Sequence, residues 1–179
     1  NTNNEINDVF KEHDQILIDP QGEKKEFRFI DAIQNALSIA LKKYDNLIFM
    51  GQDISDYGGV FKITDGFAEE FGDSRVRNTP ISEAAPLGAA LGLTIAGKKT
   101  MVEMQFADFV SCGFNQIVNN LAKTHYRWGQ NCDVVIRMPT GGGLAAGPFH
   151  SQSTEAWFFH VPGLKIVYPS TPSDAKGLL

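Results

Sequence analysis

Two side chains in this sequence could move protons. Glu83 follows Thr79-Pro80-Ile81-Ser82 and heads a run of small and apolar residues, Ala84-Ala85-Pro86-Leu87-Gly88-Ala89-Ala90-Leu91-Gly92-Leu93. A helix of that composition reads as buried all round, which puts Glu83 at the edge of an apolar layer. Desolvation there favours the neutral acid, while the helix N-terminus favours the carboxylate. An acid in a first helical turn can also serve the dipole alone, and the residues by themselves leave both roles open. His150 lies between the glycine-rich run Gly141-Gly142-Gly143-Leu144-Ala145-Ala146-Gly147 and the aromatic stretch Trp157-Phe158-Phe159. An imidazole so placed can give or take a proton near neutral pH, although a capping histidine would look the same.

The glycine run lacks the Lys and Ser/Thr of a P-loop and does not open a helix in GxGxxG form, so a mobile active-site loop is expected rather than a phosphate cradle. His160, close to Pro162, reads as structural, and no motif surrounds His13 or His125. Cys112 and Cys132 have no close partner in sequence. They read as buried, reduced thiols of a cytoplasmic protein.

The elements that must position these residues follow a simple rhythm. Ile30, Ile33, Leu37 and Leu41 recur at helical spacing within 29–43, and Lys42-Lys43 suit a helix C-terminus. Leu47-Ile48-Phe49-Met50 is an unbroken apolar run, as in a parallel strand covered on both faces. A loop with Gly58-Gly59 and a helix over 66–71 come next, then a short strand over 75–78 and the small-residue helix. Further strands are expected over 100–104, 133–137 and 164–168, with helices over 108–126 and 154–160 and another opening at Ser173-Asp174. Strands alternating with helices predict an α/β fold, a parallel β-sheet flanked by helices on both faces. Ligands of such sheets sit beyond the carboxyl ends of the strands, where Gln52, Glu83, Gln105 and the Gly141 loop all fall. Ahead of this core, residues 1–27 read as a linker or N-terminal extension. It carries a weak helical pattern (Ile6, Val9, Phe10), a short strand candidate Ile16-Leu17-Ile18, and the turn signature Asp19-Pro20-Gln21-Gly22.

Composition narrows the function classes. The 179 residues are 42% hydrophobic and 21% charged, enough apolar material for one domain with a real core. A net charge of -5 with no basic run argues against nucleic-acid binding. No apolar run reaches the length that spans a bilayer, so no membrane role is expected. The chain starts at Asn1 without a signal or transit pattern, and is expected to have been processed or cut from something longer.

Four blocks of the sequence, in order, resemble one family. They are Gly58-Gly59-Val60-Phe61-Lys62, Thr79-Pro80-Ile81-Ser82-Glu83, Glu103-Met104-Gln105-Phe106-Ala107-Asp108-Phe109, and His150-Ser151-Gln152-Ser153 followed by His160-Val161-Pro162-Gly163. Together they look like the beta subunit, a pyrimidine-binding transketolase-like domain, of the thiamine-diphosphate-dependent decarboxylase component of 2-oxoacid dehydrogenase complexes. Gln-Phe-Ala-Asp and Gly-Gly-Val-Phe lean toward the branched-chain (2-oxoisovalerate) type. The resemblance implies that Glu83 hydrogen-bonds the pyrimidine nitrogen farthest from the amino group and sets the reactive tautomer. It implies that Ile81, Gln105 and Phe109 line the same cofactor pocket, and that His150 is catalytic, serving decarboxylation or acyl transfer to lipoamide.

Two departures shape the expected architecture. Relatives carry Glu where this chain has Gln52, so any acid relay there is weakened or passes to Asp53. The chain also lacks Gly-Asp-Gly with a downstream Asn, and Gly72-Asp73-Ser74 does not replace it. No metal ligand is therefore expected here: an alpha subunit or fused alpha domain would hold magnesium and the diphosphate. Residues 28–179 are then the pyrimidine-binding domain, without the beta subunit's C-terminal domain. Expected partners are that alpha part, the lipoyl domain of the acyltransferase component, and further copies in a homo-oligomer. The alternatives are a pyruvate dehydrogenase beta subunit, another transketolase-like enzyme such as a deoxyxylulose phosphate synthase, or a non-catalytic interaction module.

Overall fold

A computed structural model describes residues 5–10, 12, 14 and 21–179. The strand candidate Ile16-Leu17-Ile18 lies outside the described residues, and of the weak N-terminal helical pattern a single 3-10 turn, Ile6–Asp8, is present. Helix α1, Phe29–Lys43, follows the apolar spacing read from the sequence: Leu37 and Leu41 are buried, and Ile30 and Ile33 pack against them. Arg28 donates two hydrogen bonds of 2.7 Å to Asp31 across its first turn. Strand β1, Leu47–Gly51, comes next, followed by helix α2, Phe67–Phe71, and strand β2, Val76–Asn78.

Helix α3, Ala84–Ile95, leads into strand β3, Lys99–Glu103. A 3-10 turn, Ala107–Phe109, opens a long rod made of α4 (Val110–Asn115), a π-helical segment (Gln116–Leu121) and α5 (Ala122–Trp128). Gly129, with φ 65°, stops it. Strand β4, Val134–Arg137, and the short helix α6, Gly147–His150, precede the final helix α7, Pro172–Leu178, which Thr171 caps by accepting the Asp174 N–H at 3.1 Å. Among the described residues no helix is long and apolar enough to cross a membrane.

The four strands pair in parallel in the order β2-β1-β3-β4. Side chains alternate across this sheet, which accounts for two cores. Leu47, Phe49, Val76 and Met101 meet α1 and α2 on one face. Met50 and Val102 meet Leu87 and Ala90 of α3, Val110, Ile117 and Leu121 on the other. The chain leaves β1 toward β2 on one side and returns to β3 on the other, so the ends of β1 and β3 form the switch point where such sheets open a crevice.

Three expectations are corrected. Helix α3 is not buried all round: Pro86, Leu87, Ala90 and Thr94 face the core, whereas Ala85, Ala89, Gly92 and Ile95 are exposed, because the chain supplies cover on one side only. Residues 154–160 form only a 3-10 turn, Glu155–Trp157. That turn already buries Thr154 and Phe158, and the bulky aromatics that follow gain nothing from continuing a helix. Residues 164–168 pair with no strand of the sheet. Their entry is pinned where Gly163, φ 97°, lies so close to the Ala122 carbonyl that no Cβ would fit. Leu164 and Ile166 then satisfy their hydrophobicity by packing on the second core, without ladder hydrogen bonds.

Candidate active site

Gln52, Asp53, Gln105 and Arg137 all stand at the carboxyl ends of strands, and the site grows outward from them. Glu83 occupies the residue before α3, in helical conformation and half-buried, and its side chain does not cap the helix. Its Oε1 instead accepts a hydrogen bond from Gln52 Nε2 at 3.2 Å. One residue on, Asp53 turns the backbone into the left-handed region, φ 56°, which Asp tolerates better than most residues. Its Oδ2 lies 3.5 Å from Gln105 Nε2, and its carbonyl accepts from Gly59 N–H at 2.8 Å. The β1 end thus reaches Glu83 with one side chain and Gln105 with the next.

The Gly58-Gly59 corner shows why those residues are glycine. Both have φ near 80°, and a Cβ on Gly58 would lie 2.8 Å from Asp65 Cα. A Cβ on Gly59 would sit 3.3 Å from Glu103 Oε1. Below them Glu103, 4% exposed, accepts from Arg137 Nε at 3.2 Å and from Nη2 as well, across the parallel register that pairs the two residues. This buried ion pair forms a polar floor under the strand ends.

Beside it lies an aromatic and imidazole cluster. His150, the last residue of α6, stacks on Phe106 with centroids 4.4 Å apart and planes 24° apart. Phe109 meets the same imidazole edge-on at 5.3 Å, and Phe61 meets Phe106 at 5.9 Å. Asp108 Oδ1 stands 3.2 Å from His150 Nδ1. The loop that delivers His150 is tied down by Thr140, whose hydroxyl donates to the Gln152 carbonyl.

Of the residues picked from the sequence, Phe109 and His150 are in contact, Gln105 meets Asp53, and Glu83 meets Gln52. Among the described residues no hydrogen bond or ring contact joins Glu83 to Gln105, Phe109 or His150. Ile81 is 85% exposed just before Glu83. Asp108 and Phe106 were within a quoted motif but had no role until the fold set His150 against them. The Glu103–Arg137 pair had no signal at all, since only strand register reveals it. Among the described residues no three His, Cys, Asp or Glu side chains converge to hold a metal ion. The arrangement offers a held carboxylate, amides that can bond a polar ring edge, an aromatic wall and a proton-transferring imidazole.

Comparison with known proteins identifies the family. The family model described as transketolase, pyrimidine binding domain matches residues 25–179. The chain is 46% identical to the 2-oxoisovalerate dehydrogenase subunit beta of Bacillus subtilis (strain 168) over 153 residues, 84% of this chain and 47% of that one. It is 41% identical to the pyruvate dehydrogenase E1 component subunit beta of Acholeplasma laidlawii over 152 residues, 84% and 46% of the two chains. A solved structure, "Split gene transketolase, inactive beta4 tetramer", superposes with a TM-score of 0.63 at 20% identity, covering 84% of this chain and 45% of that one, and shares the fold. The chain spans about half the length of the curated relatives it matches.

Proposed function

This chain belongs to the transketolase, pyrimidine binding domain family, and on that premise we propose that it is the pyrimidine-binding part of a branched-chain 2-oxoacid dehydrogenase, in its thiamine-diphosphate-dependent decarboxylase component. The protein then catalyses oxidative decarboxylation of a 2-oxo acid such as 3-methyl-2-oxobutanoate, with acyl transfer to a lipoyl domain of the acyltransferase component. The observation that carries this reading is the half-buried Glu83 carboxylate, held by Gln52 at the switch point of the sheet. The higher identity to a 2-oxoisovalerate subunit than to a pyruvate one, 46% against 41%, supports the branched-chain substrate.

The donor set suits an aminopyrimidine. Glu83 can hold a proton at the ring nitrogen farthest from the amino group, and Gln105 can bond the polar edge. Phe109 offers an aromatic face, and exposed Ile81 can cover the ring from the α3 side. His150 is placed to move protons during acyl transfer. Thiamine diphosphate, when bound, supplies the electron sink for decarboxylation. Magnesium and the diphosphate fall to an alpha subunit or fused alpha domain, since the chain has no Gly-Asp-Gly with a downstream Asn.

The test is Glu83→Gln in the full-length protein assembled with its alpha part. It should assemble normally and lose decarboxylation by about 10² or more, the scale of a proton-relay group. Near-normal turnover would remove Glu83 from the mechanism. Offering pyruvate and 3-methyl-2-oxobutanoate side by side tests the substrate, and a preference for pyruvate would overturn the branched-chain assignment.

A further inference from the structure

His150 ends α6 in a segment with no charge of its own, since Gly147, Pro148 and Phe149 are neutral. The 3-10 turn Gly142–Leu144, which packs against α6, carries none either. The charged side chain that reaches the imidazole, among the described residues, is Asp108, with Oδ1 3.2 Å from Nδ1. Phe106 and Phe109 take two other sides of the ring.

Asp108 is also the first-turn acid of the rod that starts at Ala107. Among the described residues its carboxylate makes no hydrogen bond to the backbone of that rod. What Asp108 contributes to its own rod is its main-chain carbonyl, which accepts from Ser111 Oγ at 3.0 Å. Its carboxylate is left for His150, and is itself mostly buried, with 11% of the side chain exposed. An ionised carboxylate only accepts hydrogen bonds, so the proton between the two groups belongs to Nδ1. The lone pair that can take a proton is then on Nε2. Stacking on Phe106 keeps the ring from swivelling, and a flip would forfeit the carboxylate.

We propose that Asp108 is a positioning residue: it holds the orientation and tautomer of His150 so that Nε2 is the nitrogen presented for proton transfer. This rests on the role given to His150 above. The physical logic is that of any imidazole oriented by an acceptor on its other nitrogen.

The experiment uses the full-length protein assembled with its alpha part, in the variants Asp108→Asn, Asp108→Glu and His150→Ala. Acyl transfer to the lipoyl domain, followed at fixed pH, should slow by about tenfold or more in Asp108→Asn with KM for the lipoyl domain unchanged, and Asp108→Glu should recover most of the loss. In the His150→Ala background Asp108→Asn should cost nothing further, because Asp108 acts through His150. Normal transfer by Asp108→Asn overturns the proposal. So does a loss that persists in the His150→Ala background, or an Asp108→Glu variant as impaired as Asp108→Asn. Should Asp108→Asn fail to assemble, Asp108→Ser in the two backgrounds carries the same test. If His150→Ala transfers acyl groups normally, the role of His150 fails and this proposal fails with it.

Discussion

The side-chain amide of Gln52 donates a hydrogen bond to Glu83 Oε1 at 3.2 Å. An amide donor fixes one oxygen of the carboxylate without competing for its proton, because Gln cannot ionise. The second oxygen is left to meet a ligand. The pair is one carboxylate and one neutral holder.

Gln52→Glu should replace an amide donor with a second carboxylate about 3 Å from Glu83, so a hydrogen bond becomes a repulsion between like charges. Urea unfolding at pH 7 should show a loss of about 1 kcal/mol. Gln52→Ala, which only removes the donor, should lose less. A Gln52→Glu variant as stable as the parent would show that the two side chains do not meet in solution.

The Glu103–Arg137 pair should be costly to break and cheap to replace. Arg137→Met leaves a carboxylate that is 4% exposed without its partner, a loss of about 3–5 kcal/mol. Combining it with Glu103→Leu removes the stranded charge and should return much of that stability. Urea unfolding of the single and double variants measures the difference. Equal stabilities would mean that the pair is hydrated and not a buried floor.

Gly163→Ala should destabilise by about 3 kcal/mol, from a left-handed backbone together with a collision against the Ala122 carbonyl. For a chain of this size that corresponds to a fall in Tm of about 6–12 °C, readable by differential scanning calorimetry. An unchanged Tm would show that the 163–168 segment can lift off α5 without loss.

The two thiols should label in two phases. Cys112 is exposed. Burial pushes the Cys132 thiol above its usual range, the neighbouring charge of Asp133 adds to this, and a hydrogen bond with Thr94 works against it. Thiolate is the reactive form, so Cys132 should lag behind Cys112 with Ellman's reagent at pH 8 and catch up on denaturation or as pH rises. A single fast phase of two thiols would contradict the burial of Cys132.

How much of this could be read from the residues depends on what each feature needs. Helix α1 and strand β1 are local patterns, a spaced apolar face and an unbroken apolar run, and both appear where the spacing puts them. Glu83 heads a helix, as the small-residue run after it predicts, and the fold adds its hydrogen-bond partner Gln52. Asp108 with His150 and Glu103 with Arg137 were not legible, because each pair is made by the sheet and its loops and not by neighbours in sequence. Residues 164–168 carry the composition of a strand, but a strand also needs a partner in register, and here Leu164 and Ile166 pack on the second core instead. Helix α3 reads as buried because its residues are apolar, whereas burial depends on what lies opposite, and here one side has no neighbour.

The strand order has a consequence for how the chain is made. Phe49 of β1 pairs with Val76 on one side and Met101 on the other, so β1 sits between two partners that both follow it in sequence. During synthesis it emerges ahead of both, with α1 already made to cover Leu47 and Phe49, and its two edges stay unpaired until β2 and then β3 arrive. Each parallel pairing closes a long loop before any contact rewards it, which makes folding slow for a chain of this length. The strand that carries Gln52 to the site is therefore completed only when β3 has been made.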